Sequence, residues 1–134
     1  MSRIRSRDTK PELLVRSLIH GLGFRFRMNS GRHLPGRPDI VLVRHRIVVF
    51  VHGCFWHRHS TCRLTYTPKS RVEFWAQKFA ANVERDRRVE RELRKLGWRV
   101  IKVWECETRS PERLALRLSR LLSRKPSLPG GTHA

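Results

Sequence analysis

The sequence predicts a single α/β domain in which a mixed central sheet is flanked by helices. Three observations carry this expectation. At 134 residues the chain fits one domain, with enough length to bury a real core. Two apolar, β-branched runs, DIVLV (39–43) and IVVFV (47–51), flank Arg44-His45-Arg46 in the pattern of a hairpin. Amphipathic stretches at helical spacing lie on either side of these and of a further strand candidate, WRVIKVW (98–104), with no internal repeat.

Taken in order, residues 1–8 read as a basic arm. Thr9-Lys10-Pro11-Glu12 then has the form of a capping box, with Thr9 at the N-cap, and Leu13, Leu14, Leu18, Ile19 and Leu22 follow at helical spacing until Gly21 and Gly23. FRFRM (24–28) alternates apolar and basic residues as a half-buried strand should. A Gly/Pro-rich loop, NSGRHLPGRP, leads to the hairpin. A long helix is expected from Val72 to Leu96, with Trp75, Phe79, Val83, Val89, Leu93 and Leu96 near one face and Arg85, Arg87, Arg88, Arg91 and Arg94 on the other. Gly97 suits its C′ position, and Ser110-Pro111-Glu112 opens a last helix through Leu122. The expected order is α-β-β-β-loop-α-β-α, with the domain at 1–122 and a disordered tail at 123–134.

Lys and Arg number 30 against 11 Asp and Glu, a formal net charge of +19. Such an excess suits nucleic acid, whose phosphates release counterions on binding, or an anionic membrane surface. No segment is apolar over the roughly 18 residues that a membrane span needs, and the N-terminus lacks the apolar core of a secretory signal. Nucleic acid is the favoured partner, in an enzymatic or a ribosomal-type structural role, with no membrane partner. Three cysteines in histidine-rich company suggest a reducing cytoplasm and a metal rather than a disulfide framework.

The stretch VHGCFWHRHSTC (51–62) holds three histidines and two cysteines. Cys54, His59 and Cys62 form C-x4-H-x2-C, and Cys106 follows the last strand. Together they make a Cys3His set of the kind that closes a structural Zn²⁺ site, although buried thiols alone would also account for the cysteines. Closed coordination leaves no place for a reacting water, so the zinc would pin a loop to a strand end.

Asp39 begins one hairpin strand and His52 ends the next, so the two can approach one end of the sheet. A carboxylate there can hold Mg²⁺ against a phosphate, as in many nucleases, and can equally just shape the turn after Gly-Arg-Pro. His52 and His57 remain as candidate general acid or base once His59 is given to zinc. The capping box by itself accounts for Glu12.

LPGRPDIVL (34–42), VFVHGCFWHRH (49–59), EFWAQKFAANVERDRR (73–88) and LGWRVIKVWEC (96–106) resemble the very short patch repair (Vsr) DNA mismatch endonucleases of bacteria. The resemblance spans nearly everything but the tail, and HGCFWH after a PD strand is its most specific part. The family's run of four histidines reads here His57-Arg58-His59-Ser60-Thr61, with one residue more before Cys62.

The resemblance implies a restriction-endonuclease-like fold and Mg²⁺-dependent nicking of one strand of double-stranded DNA, 5′ to the T of a T·G mismatch left by 5-methylcytosine deamination. It implies that Asp39 binds Mg²⁺ with the backbone carbonyl of Val51, that His57 activates the attacking water, and that His52 lies near the scissile phosphate. Glu12 would support a metal-bound water or His57, and Cys54, His59, Cys62 and Cys106 would hold Zn²⁺. Phe55, Trp56 and Trp75 would wedge between base pairs beside the mismatch, while Met1 and Ile4 match positions that approach the bases. Unstacking costs a few kcal/mol, roughly, and least where pairing is already defective. Trp75 also lies on its helix's apolar stripe, which suits a core role.

A monomer in the cytoplasm, associated with the nucleoid, is expected, with mismatch-repair proteins, a DNA polymerase and a ligase as functional partners. The alternatives are a related, restriction-associated nuclease of different specificity and a zinc-stabilised DNA-binding module without catalysis.

Overall fold

A computed structural model describes residues 10–26, 33–54 and 67–123 of the chain. Helix α1, Lys10–Gly21, buries Val15 and Ile19 completely, and Leu18 and Leu22 pack at the margin of the same core. It stops at a Schellman turn: Gly23 takes φ 95°, its N–H donates to the His20 carbonyl at 3.0 Å, and the Phe24 N–H donates to the Ile19 carbonyl at 3.3 Å. Thr9, the expected N-cap, lies outside the described residues.

That turn corrects the expected strand at FRFRM. Residues 24–26 form no strand, because the helix cap takes the Phe24 N–H and turns Phe24 and Phe26 back onto the core. Residues 27 and 28 lie outside the described residues.

The sheet of the described residues therefore has three strands, not four, in the order β1 (Ile40–Leu42), β2 (Ile47–His52), β3 (Arg99–Trp104). β1 and β2 form the expected hairpin, antiparallel with Ile40 opposite Val49. Its turn begins earlier than expected. Val43 joins a 3₁₀ turn, Val43–His45, and Arg46 closes the turn at φ 56°, which shortens β1. β2 and β3 are parallel, pairing Ile47 with Arg99 and His52 with Trp104. The central position of β2, covered on both faces, explains its unbroken apolar run.

Parallel neighbours need a crossover, and helix α2, Val72–Lys95, supplies it. α2 also ends in a Schellman turn. Gly97, at φ 93°, donates to the Arg94 carbonyl at 3.0 Å and Trp98 donates to the Leu93 carbonyl at 3.0 Å. This cap corrects two boundaries. Leu96, expected on the apolar face, is 53% exposed, and Trp98 enters the core in its place as part of the cap, so β3 begins at Arg99. The expected basic face of α2 is exposed as anticipated.

Helix α3, Pro111–Ser123, buries Leu114, Leu118 and Leu122, one residue per turn. One face of the sheet packs Ile40, Leu42, Ile47, Val49, Ile101 and Val103 against α1 and α3. The other packs Val41, Val48 and Phe50 against Leu93 and Trp98, with Val89 of α2 alongside. Among the described residues the result is a mixed α/β layer structure with three helices around a three-stranded sheet.

Candidate active site

Strand directions decide where the polar residues gather. β2 and β3 leave the sheet at the same end, and β1, antiparallel to β2, enters there. Asp39, Val51, His52, Cys54, Glu105 and Cys106 all sit at that end. The Asp39 N–H donates to the Val49 carbonyl at 3.0 Å, and Asp39 Oδ2 accepts the Val51 N–H at 2.7 Å. The carboxylate is thus fixed against the Val51 backbone, partly buried.

The loop before Asp39 is held equally firmly. Arg37 donates its N–H to the Leu34 carbonyl at 3.1 Å, Leu34 packs against the α2-side core, and Pro38 is buried. Gly36, at φ 73°, lies so close to Val89 of α2 that a Cβ would overlap the valine methyls. Glycine is required there by both backbone and space.

Glu12 reaches the same region from α1. The Phe24 ring, just past the end of α1, meets His45 of the hairpin turn with centroids 5.1 Å apart. The C-terminal end of α1 therefore lies at the hairpin end of the sheet, and its first turn points toward the Asp39 end. Glu12 is only 5% exposed and its Oε2 accepts from Arg16 at 3.2 Å. The carboxylate is thus buried with an arginine one turn away.

Cys54 and Cys106 each stand two residues beyond the paired His52 and Trp104, so they occupy equivalent positions off neighbouring strands. Cys54 is buried and Cys106 half-buried, and the Cys54 N–H donates to Glu105 Oε1 at 3.3 Å. The 3₁₀ turn Glu105–Arg109 that carries Cys106 is clamped from below. Glu107 Oε1 accepts the Trp104 N–H at 2.8 Å, and both Glu107 oxygens accept from Arg117 of α3 at 2.9 and 2.8 Å. Arg117 also donates to the Lys102 carbonyl at 3.0 Å.

His52 is 7% exposed, its ring edge-on to Trp104 at 5.3 Å and tilted against Phe50 at 5.7 Å. Beyond it, α2 overshoots the sheet. The helix is 24 residues long, or about 36 Å, and Glu90 already reaches Lys102 near the end of β3, at 3.0 Å. Turns N-terminal to Glu90 project past the strand ends and carry Phe74, Trp75 and Phe79. Trp75, half-exposed, stacks on buried Phe79 at 5.7 Å and meets Phe74 edge-on at 5.3 Å. Arg71 and Lys78 cover the Phe74 face at 4.1 and 5.4 Å. Trp75 therefore has one side packed and the other open.

Known proteins resemble this chain along most of its sequence. The model of the DNA mismatch endonuclease Vsr family matches residues 1–63. The type II nicking enzyme V.XorIIP of Xanthomonas oryzae pv. oryzae is 49% identical over 122 residues, covering 91% of this chain and 88% of the relative. The type II nicking enzyme V.NmeAIP of Neisseria meningitidis is 48% identical over 122 residues, 91% and 86% of the two chains. The DNA mismatch endonuclease Vsr of Escherichia coli is 50% identical over 114 residues, 85% and 72% of the two chains. The chain belongs to the Vsr family. It is a DNA strand-nicking endonuclease.

For this Vsr-family protein, His57, His59, Cys62, Phe55, Trp56, Met1 and Ile4 lie outside the described residues. Asp39, Val51, His52, Glu12, Cys54 and Cys106 are brought together at one end, and Trp75 stands on the helix projecting past it. Among the described residues no three potential ligands cluster closely enough to hold a metal by themselves. A carboxylate set against a strand backbone still fits Mg²⁺, which keeps several waters and takes one or two carboxylates. Two cysteines at equivalent strand ends fit half of a four-ligand zinc site.

Sequence reasoning missed Glu105 and Glu107. Their signal is the acid on either side of Cys106 in WECE, legible once the parallel pairing puts Cys106 beside Cys54. No helix of the described residues is long and apolar enough to cross a membrane.

Proposed function

We propose that this Vsr-family endonuclease nicks double-stranded DNA 5′ to the T of a T·G mismatch, using Mg²⁺ at Asp39. The observation that carries the reading is the Asp39 carboxylate fixed against the Val51 backbone at the sheet end, in a chain half identical to a mismatch endonuclease. The restriction-endonuclease-like fold belongs to the same reading.

Bound Mg²⁺ would offset charge developing on the scissile phosphate and make water a better nucleophile there. Asp39, with the Val51 carbonyl, would hold the ion. Glu12, buried and braced by Arg16, orients the water side of the site. His57 takes the proton of the attacking water. His52, its ring packed between Phe50 and Trp104, gives the phosphate side a rigid wall rather than a freely rotating base. Cys54, His59, Cys62 and Cys106 would hold Zn²⁺, which as a closed site supplies fixed geometry to the loop bearing His57. Phe55, Trp56 and Trp75 enter the base stack beside the wobble pair, where unstacking is least costly, and Met1 and Ile4 approach the bases.

A second reading has equal sequence support. Five relatives, the two above among them, are named type II nicking enzymes, which favours a related, restriction-associated nuclease of different specificity. A nicking assay on matched and T·G duplexes in varied flanks, with Mg²⁺ or EDTA, tests both. Mismatch-dependent, EDTA-sensitive nicking supports the first, and its flank preference decides the second. Nicking of matched DNA at an equal rate rejects mismatch specificity, and mismatch binding without nicking rejects the catalytic assignments.

A further inference from the structure

On the solvent face of α2, Arg91 has a cation at each of its four helical neighbours: Arg87 and Arg88 one turn before it, Arg94 and Lys95 one turn after. All five are exposed. Like charges three or four residues apart destabilise a helix, and this arrangement does so at every available position. Favourable interaction with the helix C-terminus accounts for Arg94 and Lys95 in the last turn, but its reach does not extend to Arg87, Arg88 or Arg91. Among the described residues Arg94 alone of the five is paired, with Glu90. Among the described residues Arg87, Arg88, Arg91 and Lys95 have no ion pair. Glu84 and Glu92, at helical spacing from Arg87, Arg88 and Lys95, offset part of the repulsion but none of it at Arg91. The acids on the inner side are engaged elsewhere, Glu90 reaching Lys102 on the sheet.

A polyanion lying on this stripe would offset the repulsion that remains. From Arg87 to Lys95 the stripe spans about 12 Å, over which one strand of a duplex offers roughly three to four phosphates. It lies over the body of the sheet, outside the turns that project past Asp39, and faces away from the core that holds Leu93.

We propose that the Arg87–Arg88–Arg91–Lys95 stripe is a second DNA surface, gripping the phosphate backbone of duplex that extends beyond the nicked step. It rests on the chain acting on DNA and does not depend on mismatch specificity or on the metal assignment. The surface reads no sequence and serves retention on, and movement along, long DNA.

The test compares Arg91→Gln and the double variant Arg88→Gln/Arg91→Gln with the unaltered protein. Binding is measured across a salt series on matched duplexes of about one helical turn and of several turns. Glutamine keeps helix propensity close to that of arginine, so the fold persists, and relief of repulsion raises the melting temperature. On the long duplex the slope of log K against log salt becomes shallower by about 0.9 per lost phosphate contact. Affinity near 0.15 M salt then falls roughly fivefold per cation, and the one-turn duplex is bound as before. Unchanged affinity and slope on the long duplex overturn the proposal. An equal loss on both lengths also overturns it, because the stripe then belongs to the nicking footprint. Both readouts are binding measurements, so failure to nick leaves them interpretable.

Discussion

Asp39 and Val51 are joined across the hairpin by a 2.7 Å hydrogen bond, in which the carboxylate Oδ2 accepts the backbone N–H. The geometry fixes a charge at the edge of the sheet without burying it completely, and it separates structural from chemical roles. Asn can present an oxygen to the Val51 N–H but carries no charge. Asp39→Asn should therefore keep the melting temperature near that of the parent while losing the metal-dependent step. Loss of a few kcal/mol of charge stabilisation corresponds to a nicking rate lower on the order of 10³-fold. Single-turnover nicking with a gel-shift control checks this. Nicking retained at the parental rate would remove Asp39 from the chemistry.

The proposed zinc site bears on stability rather than rate. Cys106 rides on a 3₁₀ turn tied to α3 through Glu107 and Arg117, and Cys54 is tied to the same turn through Glu105. If these thiols share a zinc, Cys106→Ser should lower both zinc content and melting temperature. Arg117→Ala should lower the melting temperature alone, by loosening the turn at a cost of about 1–2 kcal/mol. Metal analysis beside thermal melts distinguishes the two. Full zinc occupancy in the serine variant would exclude Cys106 as a ligand.

These residues also show how far the sequence could be read. The hairpin, the long helix and the last helix were legible because their apolar periods, two for strands and 3.6 for helices, are uninterrupted. Asp39 stood out through its PD context and the cysteines through their spacing. FRFRM misled because its alternation is local, whereas the fate of Phe24 was decided by the cap that Gly23 imposes on α1. Glu105 and Glu107 were invisible because their partners, Cys54 and Arg117, become neighbours only through the parallel pairing of β2 with β3 and the return of α3. The burial of Glu12 likewise arises from where α1 is packed, which a capping pattern does not report, whereas its pair with Arg16 is local to the helix.

Glu90 links α2 to the sheet and gives a pH signature. Burial works to raise its pKa, yet Lys102 and Arg94 together prevail and hold the carboxyl below its ordinary value of 4.5. A depressed folded pKa contributes stability that is present above the unfolded value and is lost as pH falls through the folded one. Glu90→Gln should therefore lower the melting temperature at pH 7. The gap should narrow below about pH 4.5 and close once the parental carboxyl is protonated. Melts of both proteins from neutral to acid pH check the sign, and a gap that widens on acidification would contradict the pairing.

Gly36 ties the loop before Asp39 to α2, and its substitution should affect rate more than stability. At φ 73°, any Cβ strains the backbone and would also overlap the methyls of Val89. The left-handed conformation alone costs about 1–2 kcal/mol for a residue other than glycine, and the overlap adds to it. Asp39 lies three residues on, so any shift that relieves the overlap moves the carboxylate proposed to hold Mg²⁺. A misplacement of about 1 Å can cost a hundredfold in rate. Gly36→Ala should accordingly nick roughly 100-fold more slowly while still folding and binding DNA. Adding Val89→Ala removes the overlap but not the backbone strain. Nicking should then recover in large part while the melting temperature stays low, because Val89→Ala also removes apolar contact from the core. If the double variant nicks no faster than Gly36→Ala, the loop is not positioned by its contact with Val89, and the backbone conformation at Gly36 alone sets the position of Asp39.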